Sequence, residues 1–293
     1  MSTVVSQSSP KDPALVLPTL LVGHRQRARR PWLMYLSIGW LTLVGLAALT
    51  AQWLPIADYR ATVGRPREPV FSSLGEIFGT DNYGRSILAR VIVGARTSLL
   101  LSLLSVSIAI VLGGLIGLWA GYRGGWFDRI VAFPVDTMLA FPPLVFLLTL
   151  TVVLRPSFST LLIGLTVVIV PTFIRLERAS ARSYAQRPFV LASEAYGAGR
   201  ARIVFREILP NAGLVLITYV PAVVATLIIA EGSLSFLGLG IPPPTPSWGG
   251  MIADGKAQLR VAPHMVFVPA ACVFLTVFAL SIIGERFRSR YER

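Results

Sequence analysis

Residues 194–211, from Glu194 to Asn211, read EAYGAGRARIVFREILPN and stand between two strongly apolar blocks. Three arginines, two glycines and a closing Leu-Pro fall in this short run, and the wider segment Arg175–Ala212 holds seven arginines. Placing them at the centre of a bilayer would cost about 2.5 to 3.5 kcal/mol each, of order 20 kcal/mol together, which the few leucines and isoleucines do not offset. The segment must therefore lie in water or against protein. Its pattern is ordered, unlike a linker. Pro188 suits a first helical turn, Phe189–Tyr196 favours helix, and Gly197 supplies a left-handed stop. A second short helix is predicted from about Gly199, with Ile203, Val204, Phe205, Ile208 and Leu209 as an apolar sector beside Arg200, Arg202 and Arg206. Pro210 is expected to end it. The result is a short amphipathic rod held crosswise between two spans, suited to the lipid interface or to a groove on another protein.

The surroundings set the class. Of 293 residues 54% are apolar and only 14% charged, and the mean hydropathy is +0.68. That composition belongs to a membrane protein. The net charge of +13 is then the excess of arginine expected in cytoplasmic loops, not a nucleic-acid footprint, and no nucleic-acid partner is predicted. The lone Cys272 lies in an apolar block and reads as packing; no disulfide framework or thiolate metal cluster can be built from it. His24 and His264 are far apart, without a carboxylate at ligand spacing, so both read as surface residues and no metal is predicted.

A helix needs about 20 apolar residues to cross some 30 Å of hydrocarbon, and six segments qualify. They are Trp32–Leu54, Ser98–Ala120, Thr137–Leu154, Ser159–Leu176, Gly213–Ile229 with an extension to Leu234, and Met265–Gly284. Prolines 134, 142 and 143 and Asp136 interrupt the third. Six spans put both termini on one side. Lysine and arginine number 18 in the tails and loops of that side and 9 on the other, so both termini are expected in the cytoplasm of a multi-pass protein of the cell membrane. The basic run His24–Arg30 reads as an orientation anchor that also meets anionic lipid. The predicted divisions are a basic cytoplasmic tail at 1–31, an anchor helix at 32–54, an external loop with an amphipathic segment at 55–97, a five-helix core at 98–284 that includes the 175–212 connection, and a cytoplasmic tail at 285–293. Gly113, Gly117 and Gly121 recur every four residues, which aligns them on one helix face where a neighbouring backbone can come close.

Several independent stretches carry a resemblance. Gly197 with Leu209 and Pro210 twelve and thirteen positions later resembles the cytoplasmic EAA loop of importer permeases of the ABC transporter class. GTDNYGRSILARVIVGARTSL at Gly79–Leu99, FPPL at Phe141–Leu144 and EGSLSFLGLGIPPPTPSWGGMIADG at Glu231–Gly255 are similar to the C-type permease of dipeptide and oligopeptide importers. The likeness runs from about Gly79 to Gly284. Two departures stand out. Leu191 occupies the loop's usual glutamate position, with Ala192 and Ser193 where two alanines are common and Glu194 three residues late, and the ending IGERFRSRYER lacks the family's glycine-aspartate-glycine.

The resemblance implies an all-α membrane protein of type I ABC importer permease architecture, with six transmembrane helices and a cytoplasmic coupling helix. It implies a second, homologous permease as partner, two cytoplasmic ATPase subunits or one fused ATPase, and an extracytoplasmic binding protein. Peptides are the implied cargo, with nickel complexes or haem as the alternative. ATP and magnesium are implied for the ATPase chains, no cofactor for this one, and no covalent chemistry. The coupling contact is implied at Gly197–Pro210, with Glu194 and Ala195 before the bend and Ile203, Phe205, Ile208 and Leu209 as contacts.

Other features are read from the residues. GMIADGKA at Gly250–Ala257 imitates a phosphate loop but ends in Ala257, without the hydroxyl that would hold magnesium. Pro142, Pro143, Pro171 and Pro221 interrupt spans and mark either pathway-lining kinks or packing kinks. Asp136 and Glu231 are read as the two acids near the hydrocarbon, and Glu231 as a gate or interfacial hydrogen bond in preference to a substrate ligand. Neither a nucleophile with its base nor a carboxylate pair at one depth is visible, which disfavours an intramembrane enzyme; a passive channel would need no coupling helix. Thr80 or Asp81 is expected to cap a short outer helix carrying Tyr83, Ile87, Leu88 and Val91, unless the nearby arginines pair with Asp81 and Glu76. The loop Ile241–Gly250 reads as rigid, with Trp248 an interfacial anchor, and as either a landing surface for a binding protein or plain structure.

Overall fold

A computed structural model describes residues 31–53, 56–72 and 76–291. The basic run His24–Arg30, with the rest of that tail, and the last two residues lie outside the described residues. The elements are α1 (Pro31–Thr50), α2 (Ile87–Arg123), α3 (Gly125–Ala140), α4 (Pro143–Leu154), α5 (Phe158–Ala185), α6 (Pro188–Ala195), α7 (Arg200–Arg202), a π-helical turn (Ile203–Ile208), α8 (Leu209–Phe236), α9 (Trp248–Gly255), a 3₁₀ turn (Lys256–Gln258) and α10 (His264–Tyr291). Five helices are long and apolar enough to cross a membrane, and α3 with α4, bent by 86°, makes a sixth, broken span. The apolar blocks are therefore where the sequence places them, but several boundaries differ.

The second span begins at Ile87, well before Ser98. Ser86 caps it by accepting the Ala89 N–H, and Arg90 does not stop the helix because Asp81 and Asp254 face it. The short helix expected after Thr80 or Asp81 is consequently absent. Asp81 instead accepts the backbone N–H groups of Tyr83 and Arg85 at 2.8 and 3.0 Å and the Arg85 guanidinium at 2.7 Å, which bears out the ion-pair reading of this loop for Asp81. The third span is split at Pro142–Pro143, where a proline can start α4 but cannot continue α3. The fourth continues to Ala185, beyond Leu176.

Pro210 does not end a helix. Residues Arg200–Phe236 form one continuous helix, with Pro210 in the first turn of α8 and the π turn before it. Leu209 donates its N–H five residues back, to Val204. The wider π turn takes up the proline, whose missing N–H and bulky ring an α-helical register would not tolerate. A crosswise rod is thus not what residues 199–210 form; they are the root of α8.

The central packing joins α2 to α5. A Cβ added at Gly113 would fall 2.8 Å from the Phe173 Cβ, and one at Gly117 2.6 Å from the Ile174 carbonyl oxygen. Only glycine admits such an approach, as its four-residue repeat predicts. Leu101, Leu161, Leu165 and Phe173 fill the seam with Leu216 and Leu227 of α8. Two ion pairs clasp α3 to α5: Arg178 grips Asp128 through two N–H groups, and Arg175 meets Asp136 at 2.5 Å.

Candidate functional site

At one end of the bundle, α6 sits as a short platform. Its single buried side chain, Val190, enters a cluster with Leu118 of α2, Ala181 of α5, and Ile203, Val204, Ile208 and Ala212 at the root of α8. Everything else on α6 faces outward to some degree. Phe189 is 40% exposed, Leu191 53% and Tyr196, just past its end, 93%. Ala192 and Ala195 are exposed beside them, and the Glu194 carboxylate accepts the Tyr122 hydroxyl at 3.1 Å.

The turn after α6 follows from one residue. Gly197 has φ +79°; its N–H reaches the Glu194 carbonyl at 2.9 Å, and that of Ala198 reaches Ser193 at 3.0 Å. These are the paired bonds of a Schellman motif, which satisfy carbonyls left open at the helix end. An added Cβ at Gly197 would meet nothing within 4 Å, so the glycine is there for its dihedral, not for room. Gly199 has equally open space but an ordinary φ of −65°.

The predicted contacts divide accordingly. Ile203 and Ile208 are buried in the chain's own cluster, at 1% and 0% exposure, and Leu209 packs against that cluster. They hold the platform and do not present a surface, a correction to the sequence reading. Phe205 remains half exposed and Pro210 exposed. Phe205 and Pro210 apart, the outward apolar groups here lie on α6 and at Tyr196, before the bend.

A hollow of about 640 Å³ opens between the broken α3–α4 pair, α5 and α8. Thr137, Phe141, Pro143, Leu165, Thr226 and Ser233 are among its walls. Of the predicted pathway residues Pro143 lines it. Pro142 lies beside it at the break and Asp136 is held by Arg175. Pro171 is buried within α5, and Pro221 is half-buried against Gly284 of α10, 3.5 Å from a Cβ placed there.

Glu231 lies at the opposite end from α6 and is 2% exposed. Its carboxylate accepts Ser235 and Ser247 hydroxyls at 2.7 Å each and the Ser98 hydroxyl at 3.3 Å. Ser247 also caps α9 through the Gly250 N–H, and Ser98 accepts the Trp248 N–H at 3.2 Å. One carboxylate thus ties α2, α8 and α9 together, and every oxygen is met by a donor. Trp248 is part of the same knot, not an interfacial anchor: it is 1% exposed and its indole N–H donates to the Val91 carbonyl at 3.0 Å. Beside it, burial raises the Asp254 carboxyl above its ordinary range, and Arg90 and Arg85 oppose that rise. Gly250–Gly255 is helix, so no phosphate cradle exists there. His264 is half-buried, with Nε2 3.3 Å from the Thr80 carbonyl.

One fully buried acid escapes the sequence reading. Glu177 is 0% exposed, and among the described residues neither of its oxygens has a hydrogen-bond partner. It packs against Gly117, where an added Cβ would come within 3.0 Å of its own. Its position one residue past the predicted span end hid it.

Comparison with known proteins agrees with this architecture. Residues 113–293 match the family described as binding-protein-dependent transport system inner membrane component. The chain is 37% identical over 215 residues to the dipeptide transport system permease protein DppC of Alkalihalophilus pseudofirmus, covering 73% of this chain and 71% of that one. It is 34% identical over 267 residues to the glutathione transport system permease protein GsiD of Escherichia coli, covering 91% and 88%. An inward-facing crystal form of the MetNI methionine ABC transporter shares the fold, with a TM-score of 0.56 at 17% identity over 70% of this chain and 97% of that one. A match over well more than half the sequence, together with these relatives, places the chain in the family of binding-protein-dependent transport system inner membrane components.

Proposed function

We propose that this chain is one of two homologous permeases of an ATP-driven importer of dipeptides or other short peptides, with α6 as the element that meets the ATPase. The α6 end faces the cytoplasm, where the arginine excess lies, and the Glu231 end faces outward toward a peptide-binding protein. The reading is carried by the exposed face of α6, an apolar surface fixed rigidly to the bundle. ATP and magnesium act in the partner ATPase chains. This chain contributes movement and no covalent chemistry.

The geometry supplies a route for that movement. Val190 ties α6 to Ala181 on α5 and to Ile203 and Ile208 at the root of α8. The same α8 supplies Thr226, Leu227 and Ser233 to the hollow, so displacement of α6 is passed along a packed helix to the hollow's wall. In this scheme the second permease covers the hollow, and alternating exposure of the shared space moves the peptide.

Reconstitution with the partner permease, ATPases and binding protein tests this. Labelled dipeptide should accumulate only with ATP, and nickel should not. Uptake without ATP would indicate a passive channel, and ATP-driven uptake of nickel or haem alone would replace the peptide assignment.

A further inference from the structure

The charge around α6 says what kind of groove it fits. Between Arg182 and Glu207 the chain carries five arginines and two acids. One acid, Glu194, is engaged by Tyr122 at 3.1 Å, and the other, Glu207, is half-buried. All five arginines are exposed, and among the described residues none has an acid oxygen within 4.0 Å. Arg187 is the N-cap of α6, and Arg200 and Arg202 follow the Gly197 turn, so positive charge stands at both ends of the exposed apolar patch of Phe189, Leu191 and Tyr196.

We infer that this surface is complementary to an apolar groove with an acidic rim on the partner ATPase, in which Tyr196 and Leu191 enter the groove and Arg187, Arg200 and Arg202 meet carboxylates at its edge. The inference rests on the docking role proposed above and adds the partner's chemistry. A central apolar contact surrounded by charge is the usual anatomy of a protein interface, with the rim setting encounter rate and salt dependence. Anionic lipid is the competing occupant, and the geometry disfavours it. Charge enters α5 at Arg175, and at about 1.5 Å per residue the helix runs roughly 15 Å further before α6 begins. Headgroups extend only about 5 to 8 Å beyond the hydrocarbon on each side.

The test uses the detergent-purified importer with its own ATPase subunits. ATPase retention on the permease is measured at low and high salt for the unaltered complex, for Arg187→Glu with Arg200→Glu, and for Tyr196→Ala. Retention should weaken with salt, and charge reversal should lower it by about tenfold at low salt. Loss with Tyr196→Ala but no response to salt or to charge reversal would overturn the acidic rim while leaving docking at α6 intact. Full retention in every variant would overturn docking itself. Full ATPase retention in the charge-reversed variant, with reduced binding of the free permease to phosphatidylserine vesicles, would reassign the arginines to lipid. The altered residues are exposed, and size-exclusion profiles of the free permease confirm that each variant is folded.

Discussion

Alanine at Gly197 should impair the protein and alanine at Gly199 should not, although the two glycines are two residues apart on the same surface. Neither position is short of space, since an added Cβ meets nothing within 4 Å at either. They differ in backbone: φ is +79° at Gly197 and −65° at Gly199. An L-residue in the left-handed region costs about 1 to 2 kcal/mol. Gly197→Ala must pay this to keep the bonds from Gly197 to Glu194 and from Ala198 to Ser193, or release α6 from its angle. Either way the docked geometry becomes about 5- to 30-fold less populated, the factor that 1 to 2 kcal/mol represents. Gly199→Ala has no such cost: a small loss at the N-cap of α7, where glycine is preferred to alanine, is set against a gain of about 0.4 to 1 kcal/mol from the reduced freedom of the unfolded chain. The assay is peptide-stimulated ATP hydrolysis and uptake in proteoliposomes at matched permease content. Gly197→Ala should lose coupled uptake severalfold, Gly197→Asn less, because asparagine tolerates this conformation, and Gly199→Ala should match the unaltered protein. Equal loss at both glycines, or none at Gly197, would refute the assignment of the bend to this dihedral.

Three further substitutions, the first with a neutral control, probe the frame that holds the platform, each read as the thermal midpoint of the purified chain. Gly117→Ala places a methyl 2.6 Å from the Ile174 carbonyl and should cost about 1 to 3 kcal/mol, whereas Gly45→Ala in α1, with nothing within 4 Å, should stay within about 0.5 kcal/mol; equal effects would deny the close α2–α5 seam. Glu231→Ala strips the acceptor from Ser98, Ser235 and Ser247 and should cost roughly 2 to 3 kcal/mol; an unchanged midpoint would remove its role as a tie. Glu177→Met replaces an unpartnered buried carboxyl by an apolar chain of similar volume and should gain about 1 to 3 kcal/mol, so a lowered midpoint would mean that Glu177 makes a favourable contact with another chain or water.

The spans were legible because long apolar runs have few other uses, and the glycine stripe because its spacing matches the helix period. The Gly197 bend was legible for the same local reason. What the sequence misplaced were faces and continuity. An amphipathic stripe such as Ile203, Ile208 and Leu209 looks the same whether it packs on its own protein or on another, and here it packs inward while α6 faces out. Pro210 reads as a stop unless a π turn precedes it, and no local pattern announces that turn. Glu177 and Arg178 read as the end of a span by charge alone, because the partner that neutralises Arg178, Asp128, lies fifty residues away. The Glu231 knot reaches Ser98 across 133 residues. Such contacts are set by the fold and leave no periodic trace.

Docking of the α6 surface on a cytoplasmic ATPase can be read from one thiol. Tyr196→Cys in a Cys272→Ala background gives a single thiol at a position 93% exposed, since Cys272 is the chain's only cysteine. A membrane-impermeant maleimide is applied to right-side-out and inside-out vesicles, with the ATPase bound and after its removal. The account predicts labelling in inside-out vesicles alone, and strong protection there while the ATPase is bound. Labelling from the exterior, or labelling indifferent to the ATPase, would contradict it.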